Sequence, residues 1–283
     1  MLNALPFQSD AGDRPAADPT LAPATGYTAH AKGWFTPSPP DSSIQVNHLN
    51  VYYRTVAALQ NVSLTIEPGH LVGIFGPNGA GKSTLMKAML GLVPATTGTV
   101  TLAGKPLAEQ LERIAYVPQR SQIDWTFPAT VWDVVLMGRV KKAGLLSRLS
   151  VVSRRLAAGA LERVGMAAYR DRPIGDLSGG QQQRVFLARS LAQEADIFFF
   201  DEPFSGIDQT TEDVLFQIFH ELAAAGKTVL VVNHDLGESI THFDRLILLN
   251  RELIATGPRE QVLTPAAMAR AYGSHVNFFA HQA

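Results

Sequence analysis

The chain of 283 residues contains no cysteine, so disulfides and thiolate metal sites are excluded. It also lacks any apolar run near the ~18 residues that a membrane-spanning helix needs. The first seven residues carry neither the positive charge nor the apolar core of a secretory signal. We therefore expect a chain that is soluble, or that attaches to a membrane only through partners.

An excess of charge of one sign is absent as well. The 24 basic and 25 acidic residues leave a formal net charge of −1, so there is no overall basic field that would attract nucleic acid. One local basic cluster is interpreted as a solvated helical face. It consists of Arg139, Lys141, Lys142, Arg148, Arg154 and Arg155. We expect no nucleic-acid partner.

The composition changes along the chain. Residues 1–43 are rich in proline and alanine and show no helical or strand periodicity, which predicts a disordered N-terminal extension. Periodic apolar patterns begin at residue 44 and continue to about residue 272, which predicts one folded domain. Residues 273–283 are expected to form a C-terminal tail.

A glycine-rich stretch at residues 76–84 matches the phosphate-binding loop pattern G-x-x-x-x-G-K-[ST]. It follows an apolar run at 71–75, predicted as a buried strand, and precedes a predicted helix at 85–90. Glycines allow backbone N–H groups to converge on phosphate oxygens, and the helix N-terminus adds partial positive charge. Lys82 is predicted to reach the β- and γ-phosphates, and Ser83 to bind Mg²⁺. The predicted ATP-binding residues of the loop are Gly76, Pro77, Asn78, Gly79, Ala80, Gly81, Lys82, Ser83 and Thr84.

Strand and helix patterns alternate through the rest of the domain, which predicts an α/β fold with a largely parallel sheet. Buried-type strands are predicted at 114–117, 197–200, 228–232, 245–249 and 253–255. Strands at 44–53, 58–66 and 98–104 predict a small antiparallel layer beside this core. Helices are predicted at 131–137, 154–164, 181–192, 259–263 and 265–272.

Acidic residues follow one of the buried strands directly. Asp201 stands at the predicted strand tip, where a carboxylate can hold Mg²⁺ directly or through water. Glu202 can orient the attacking water or accept its proton. Two solvated acids in a turn are the alternative, and the aromatic strand before them argues against it.

Further motifs lie in order along the chain. Leu177, Ser178, Gly179, Gly180 and Gln181 open a predicted helix, and His234 ends a later strand. With the phosphate-binding loop, Gln119, Asp201 and Glu202, this set resembles the ATPase subunit of an ABC transporter over residues 44–272. The resemblance implies a P-loop NTPase (RecA-like) core, a small antiparallel β subdomain and an inserted α-helical subdomain at about 120–178.

The resemblance also implies roles for single residues. His234 is similar to the histidine that bonds the γ-phosphate, and Gln119 to the glutamine that senses Mg²⁺ and links the core to the helical subdomain. Mg²⁺ is thus expected on Ser83, Asp201 and Gln119. Tyr53 is expected to stack on adenine, and Tyr52 remains the alternative.

A second copy of the chain is implied in the same way. In ABC ATPases, the motif at Leu177, Ser178, Gly179, Gly180 and Gln181 faces the γ-phosphate of ATP on the partner subunit. A helix N-terminus suits that anion. The resemblance therefore implies an ATP-sandwich homodimer, with Asp208 at the seam.

Residues 119–128 resemble the corresponding segment of bacterial manganese, zinc and iron importer ATPases, and residues 120–128 resemble the manganese type most. This implies an ATP-hydrolysing subunit at the cytoplasmic face of the inner membrane. It would energise manganese uptake through a multi-span permease, served by an extracytoplasmic metal-binding protein. The alternatives are a zinc or iron-chelate importer, and an ABC ATPase without a transport role.

Two aromatic residues in this polar segment prompt a further hypothesis. Trp125 and Phe127 would help to form the pocket for the permease, because such residues are enriched at interfaces. The alternative is that both pack within the helical subdomain. The scattered histidines show no ligand spacing, so metal selectivity is expected to lie in the partners.

Overall fold

The computed structural model describes residues 42–143 and 149–273. Its strands are β1 (Ile44–Tyr53), β2 (Val56–Ile66), β3 (Leu71–Phe75), β4 (Thr97–Leu102), β5 (Lys105–Pro106), β6 (Ile114–Val117), β7 (Ile197–Asp201), β8 (Thr228–Val232), β9 (Arg245–Asn250) and β10 (Glu252–Pro258). Its α-helices are α1 (Lys82–Met89), α2 (Val131–Ala143), α3 (Val151–Arg163), α4 (Gly179–Ala192), α5 (Gln209–Ala224), α6 (Arg259–Val262) and α7 (Pro265–Tyr272).

Six strands form the central sheet, in the order β10-β9-β3-β8-β7-β6. All neighbours pair in parallel except β10, which runs antiparallel to β9. Every residue of β3, β7 and β8 is buried. Strands covered on both faces need apolar side chains throughout, which explains their unbroken apolar runs and confirms the predicted sheet.

The small antiparallel sheet is also confirmed, with the order β2-β1-β4-β5. The pairing of β1 with β2 and β4 is interrupted by bulges. A shared apolar cluster joins both sheets to α1 and includes Leu49, Leu85 and Phe199. Because α1 packs into this cluster, the loop that precedes α1 lies beside both sheets.

Helices α2, α3 and α4 pack on one another. Arg139 of α2 is 5% exposed, and its Nη1 donates to the Ala192 carbonyl at 2.8 Å and to Glu194 at 2.7 Å. Our interpretation of the basic cluster as a solvated face is therefore wrong for Arg139, because a carbonyl and a carboxylate replace its water. Arg154 and Arg155 are exposed as expected. The side chains of Lys141, Lys142 and Arg148 lie outside the described residues.

Three helices begin earlier than their apolar patterns predict, whereas α2, α6 and α7 begin at the predicted residues. Helix α1 begins at Lys82 rather than residue 85, α3 at Val151 rather than 154, and α4 at Gly179 rather than 181. Capping explains the last two, because the hydroxyls of Ser150 and Ser178 accept hydrogen bonds from the first-turn N–H groups. The first two residues of α3, Val151 and Val152, are 74% and 62% exposed, so they do not belong to the buried face that periodicity detects.

The described part of the chain begins at residue 42, and the domain boundary at residue 44 stays a prediction. Ser42 is buried, and its hydroxyl accepts a hydrogen bond from Arg113 Nη2 at 2.9 Å. The bulk of the predicted extension (1–41) and of the predicted tail (274–283) lies outside the described residues. Along 42–143 and 149–273, no helix is both long and apolar enough to cross a membrane.

Candidate functional site

The phosphate-binding loop connects β3 to α1 at the carboxyl edge of the central sheet. Gly76, Gly79 and Gly81 have φ values of 149°, 78° and 93°. A Cβ on Gly76 would lie 2.0 Å from the carbonyl oxygen of Leu249, and one on Gly81 would lie 2.6 Å from a backbone oxygen. Glycine is therefore required at Gly76 and Gly81 for space as well as for conformation.

Lys82 begins α1 with its ammonium turned back into the loop. The side chain is buried, and Nζ donates to the carbonyls of Gly76 at 2.8 Å and Pro77 at 3.1 Å. Burial lowers the pKa of Lys82, and the charges of Glu202 and Asp201 oppose that shift. The cation thus lies at the centre of the loop, with two carboxylates close enough to influence it.

Ser83 and Asp201 meet across 118 residues of sequence. The Ser83 hydroxyl donates to Asp201 Oδ1 at 2.8 Å. Asp201 ends β7 and is 2% exposed, and this burial is the main reason that its pKa is raised. Its Oδ2 is buried and forms no hydrogen bond with any described residue. A hydroxyl beside an uncommitted carboxylate oxygen is a donor set that fits Mg²⁺.

Glu202 lies between Gln119 and His234. Its Oε2 accepts a hydrogen bond from Gln119 Nε2 at 2.8 Å and lies 3.7 Å from His234 Nδ1. Glu202 and His234 also border an open depression of about 180 Å³. Gln119 and His234 thus both lie beside the carboxylate of Glu202, and the sequence predicted that all three residues act together.

The backbone at Glu202 is in an unusual conformation. Its φ is 51°, in the left-handed region that residues with a Cβ rarely adopt. Its N–H donates to the Val232 carbonyl at 3.1 Å, so the chain leaves β7 while still bonded to β8. Such strain persists where the surrounding structure enforces it, and it is frequent at functional sites.

Two neighbours of Asp201 escaped the sequence reasoning. Lys87 lies four residues after Ser83 on α1, and its positive charge opposes the rise that burial causes in the pKa of Asp201. The i, i+4 spacing could have indicated that Lys87 lies on the same side of α1 as Ser83. Tyr116 pairs with Phe199, two residues before Asp201, and therefore lies on the same face of the sheet. Burial chiefly raises the pKa of Tyr116 to about 12. Only strand register reveals that neighbour.

The predicted motif at residues 177–181 forms the N-terminus of α4. Ser178 and Gln181 form a capping box, with Ser178 N–H donating to Gln181 Oε1 at 2.9 Å. A Cβ on Gly180 would lie 2.7 Å from Thr211 Oγ1, so the glycine allows α4 to approach α5 closely. Asp208 caps α5 by accepting from Thr211 N–H at 2.8 Å. Leu177 is buried and Ser178 is exposed, which leaves the end of α4 accessible.

The adenine-stacking residue stays a prediction. Tyr52 and Tyr53 are 44% and 49% exposed. They pair with Ala57 and Val56 beside the tight turn that joins β1 to β2. Both side chains are exposed enough to stack on adenine, so Tyr53 and Tyr52 both remain candidates for that role.

The aromatic residues after Gln119 differ in their surroundings. Trp125 packs edge-on against Phe186 of α4 at 5.5 Å between centroids, and its Nε1 donates to the Arg120 carbonyl at 3.1 Å. Phe127 is 56% exposed. Trp125 thus packs within the domain, which was the alternative to a role in the permease pocket. Phe127 is available to a partner.

Comparisons with known proteins agree with this geometry. Residues 59–205, just over half of the chain, match the family model described as "ABC transporter". The chain belongs to the ABC transporter family. This ABC ATPase is 50% identical over 230 residues to the manganese transport system ATP-binding protein MntB of Listeria monocytogenes, covering 81% of the chain and 96% of that protein. It is 47% identical over 235 residues to the zinc transport system ATP-binding protein TroB of Treponema pallidum, covering 83% and 88%.

Solved structures support the same assignment. The ADP conformation of an ATP-binding cassette from an ABC transporter superposes with a TM-score of 0.71 at 26% identity, over 81% of this chain and 96% of that one. A dimeric bacterial ABC transporter cassette superposes with a TM-score of 0.68 at 28% identity, over 76% of this chain and 98% of that one. The chain therefore has the P-loop NTPase fold of these cassettes, binds nucleotide, and is an ATPase coupled to transport.

Proposed function

We propose that this chain hydrolyses ATP to energise the uptake of a transition-metal ion through a separate membrane permease. Manganese is the ion that we favour. The observation that supports the ATPase site is the Ser83–Asp201 contact, with Glu202 beside it between Gln119 and His234. The proposed transported metal rests on the similarity to relatives that are named for manganese and zinc transport systems. A zinc or iron-chelate importer is the alternative cargo assignment.

The residues around the nucleotide have separate tasks in this proposal. Lys82 and the loop N–H groups bind the phosphates, while Tyr53, or Tyr52, stacks on the adenine. Ser83 and Asp201, with Gln119, would hold Mg²⁺. Bound Mg²⁺ neutralises charge on the transferring phosphoryl group.

The hydrolytic step falls to Glu202 and His234. Glu202 accepts a proton from the attacking water, and its contact with Gln119 orients the carboxylate for that task. His234 Nδ1 lies 3.7 Å from the same carboxylate oxygen, and the imidazole can donate to the γ-phosphate. Because Glu202 lies at the edge of an open depression, water has access to it.

The complete site requires a second copy of the chain. The N-terminus of α4, where Ser178 is exposed, would contact the γ-phosphate held by the partner through Ser178, Gly179 and Gly180, with Asp208 at the seam. ATP would close this homodimer and hydrolysis would release it. The existence of a dimeric cassette with the same fold supports this arrangement.

The remaining partners act on the membrane side. The helical part of the domain, about residues 120–178, would contact a multi-span permease, with exposed Phe127 available at the contact. The chain would then be peripheral at the cytoplasmic face of the inner membrane. An extracytoplasmic binding protein would select the metal, because no group of three metal-ligating side chains occurs among the described residues. Nucleic acid is not part of the proposal.

The ATPase assignment is tested with Glu202→Gln. The amide keeps the size of the side chain but cannot accept the proton, so hydrolysis should fall at least ~100-fold. The ATP-bound dimer should persist on size-exclusion chromatography with light scattering. Lys82→Ala is the matched control, which should fail to dimerise because it loses nucleotide. Normal hydrolysis by Glu202→Gln would show that the catalytic assignment is wrong.

The cargo is tested by uptake of radioactive manganese, zinc and iron in cells that lack this gene. Loss of manganese uptake, restored by the wild-type chain but not by Glu202→Gln, supports the proposal. Selective loss of zinc or iron uptake would instead support the alternative importers. Unchanged uptake of all three metals would point to an ABC ATPase outside metal transport.

A further inference from the structure

Two imidazoles face each other outside the nucleotide site. His220 lies near the end of α5, and His242 ends the short 3-10 turn Glu238–His242 that precedes β9. His220 Nε2 and His242 Nδ1 are 3.5 Å apart. Both residues are exposed, so the two nitrogens are within reach of an ion from solution.

The pair is held by a buried aromatic residue. The ring of Phe216 stacks on His242 with centroids 4.1 Å apart and an interplanar angle of 15°. Phe216 is buried and lies one helical turn before His220 on α5. The same helix therefore carries His220 and supports His242, which keeps the two rings together.

The surroundings favour a bound cation. Two carboxylates lie close enough to interact electrostatically with the pair, Asp244 with His220 and Glu212 with His242. Across the described residues, neither carboxylate forms an ion pair with a lysine or arginine.

The spacing suits a single ion held by both rings. With metal–nitrogen bonds of about 2.1 Å, a nitrogen separation of 3.5 Å gives an angle of about 115° at the metal, close to tetrahedral. The ring centroids are 5.7 Å apart, so the two nitrogens point toward each other at hydrogen-bond distance. A rotation of each exposed ring by about 30° directs both lone pairs at one ion beside the line that joins the nitrogens.

We propose that His220 and His242 bind one divalent transition-metal ion, with water completing its coordination. Imidazole ligands and the general order of metal affinities favour Zn²⁺, Ni²⁺ or Cu²⁺ over Mn²⁺. Among the described residues no third His, Cys, Asp or Glu joins the pair in a metal-binding group. The ion is thus held by two protein ligands and exchanges readily with solution.

The site is connected to the proposed catalytic histidine. Ser239, in the same 3-10 turn as His242, accepts a hydrogen bond from Asn233 Nδ2 at 3.2 Å, and Asn233 directly precedes His234. A metal that ties this turn to α5 restrains the segment that carries His234. Bound Zn²⁺ should therefore slow ATP hydrolysis, a consequence that rests on the proposed function.

Metal binding is tested first, without nucleotide. The full chain, freed of metal with a chelator, is titrated with Zn²⁺ and separately with Mn²⁺ by calorimetry. We expect one Zn²⁺ equivalent to be lost, or bound at least tenfold more weakly, in His220→Gln and in His242→Gln. His48→Gln, a change at an exposed histidine elsewhere, is the matched control. Unchanged Zn²⁺ binding in both pair variants, or an equal loss in the control, would overturn the site.

The regulatory consequence has its own readout. Without Zn²⁺, both pair variants should hydrolyse ATP within about twofold of the wild type and melt at a similar temperature, because both side chains are exposed. Added Zn²⁺ should inhibit the wild type and the control severalfold and leave the pair variants unaffected. If Zn²⁺ binds at the pair but does not change the rate of ATP hydrolysis, the proposed inhibition is overturned and the metal site stands. Absent hydrolysis with intact Zn²⁺ binding would instead contradict the proposed ATPase function.

Discussion

The side chain of Gln119 donates a hydrogen bond from Nε2 to Glu202 Oε2 at 2.8 Å. The two residues are 83 positions apart and follow neighbouring strands, β6 and β7. Gln119 also precedes the segment that leads into α2. One hydrogen bond thus connects the proposed general base to the start of the proposed helical subdomain.

Replacing Gln119 by alanine should lower kcat for ATP hydrolysis about tenfold, because Glu202 loses the partner that orients its carboxylate. KM for ATP should change less, since Lys82 and the phosphate-binding loop are untouched. Steady-state ATPase assays separate the two effects. Gln119→Glu should be more severe than Gln119→Ala, because it places a like charge beside Glu202. Equal kcat in the alanine variant and the wild type would show that this contact does not matter for hydrolysis.

Two glycines of the phosphate-binding loop offer a matched pair. Gly76→Ala should lower the free energy of unfolding by more than about 3 kcal/mol, because its Cβ would lie 2.0 Å from the Leu249 carbonyl oxygen. Gly79→Ala should cost about 1 kcal/mol, because φ is 78° but the space around the new Cβ is open. Urea unfolding of both variants measures the difference. Similar losses would show that backbone strain, rather than the clash, decides the cost at Gly76.

Asp201→Asn should stabilise the nucleotide-free chain while abolishing Mg²⁺-dependent hydrolysis. Burial raises the pKa of Asp201, so its ionised form is destabilising in the folded protein at neutral pH. The amide removes this charge and keeps an oxygen that can accept from Ser83. Denaturant unfolding at pH 7 should show a higher midpoint than for the wild type. A lower midpoint would mean that attraction from Lys82 and Lys87 outweighs the desolvation of the carboxylate.

Asp196 carries the clearest pH dependence. It accepts from Arg113 Nε at 2.9 Å and from Lys227 Nζ at 2.9 Å, and Lys227 is 3% exposed. Burial favours the protonated carboxyl, but the bonds and charges of both cations outweigh it and hold the pKa of Asp196 below its usual range. The ionised carboxylate therefore stabilises the folded chain at neutral pH, and this contribution is lost as pH falls through the lowered pKa.

Asp196→Asn should accordingly cost about 2–3 kcal/mol at pH 7, because it leaves the buried Lys227 without its counter-ion. The gap between variant and wild type should begin to narrow below about pH 4, where the carboxylate of the unfolded wild-type chain takes up a proton, and should close below the lowered pKa of the folded chain. Urea unfolding between pH 3 and pH 7 measures this gap. Glu194→Gln, at the partly exposed Arg139 ion pair, is a comparison variant that should cost less. A constant gap across this range would contradict the electrostatic explanation.

Local patterns predicted much of the fold correctly. The runs at 197–200 and 228–232 are apolar throughout because β7 and β8 are covered on both faces of a parallel sheet. The loop at 76–84 was equally predictable, since its glycines and Lys82 act within one short segment. Burial was harder to predict. Arg139 resembles any surface arginine in sequence, and only the contact of α2 with the end of α4 buries it.

The sequence by itself determined the order of the strands and helices along the chain, the phosphate-binding loop and the family, because these depend on residues close together in the chain. Only the tertiary structure decided which distant groups meet. The contact of Ser83 with Asp201, the position of Glu202 between Gln119 and His234, and the pairing of His220 with His242 each join separate segments. The physical reason is that strand order, register and helix packing set these distances, and none of the three can be read from spacing in the chain.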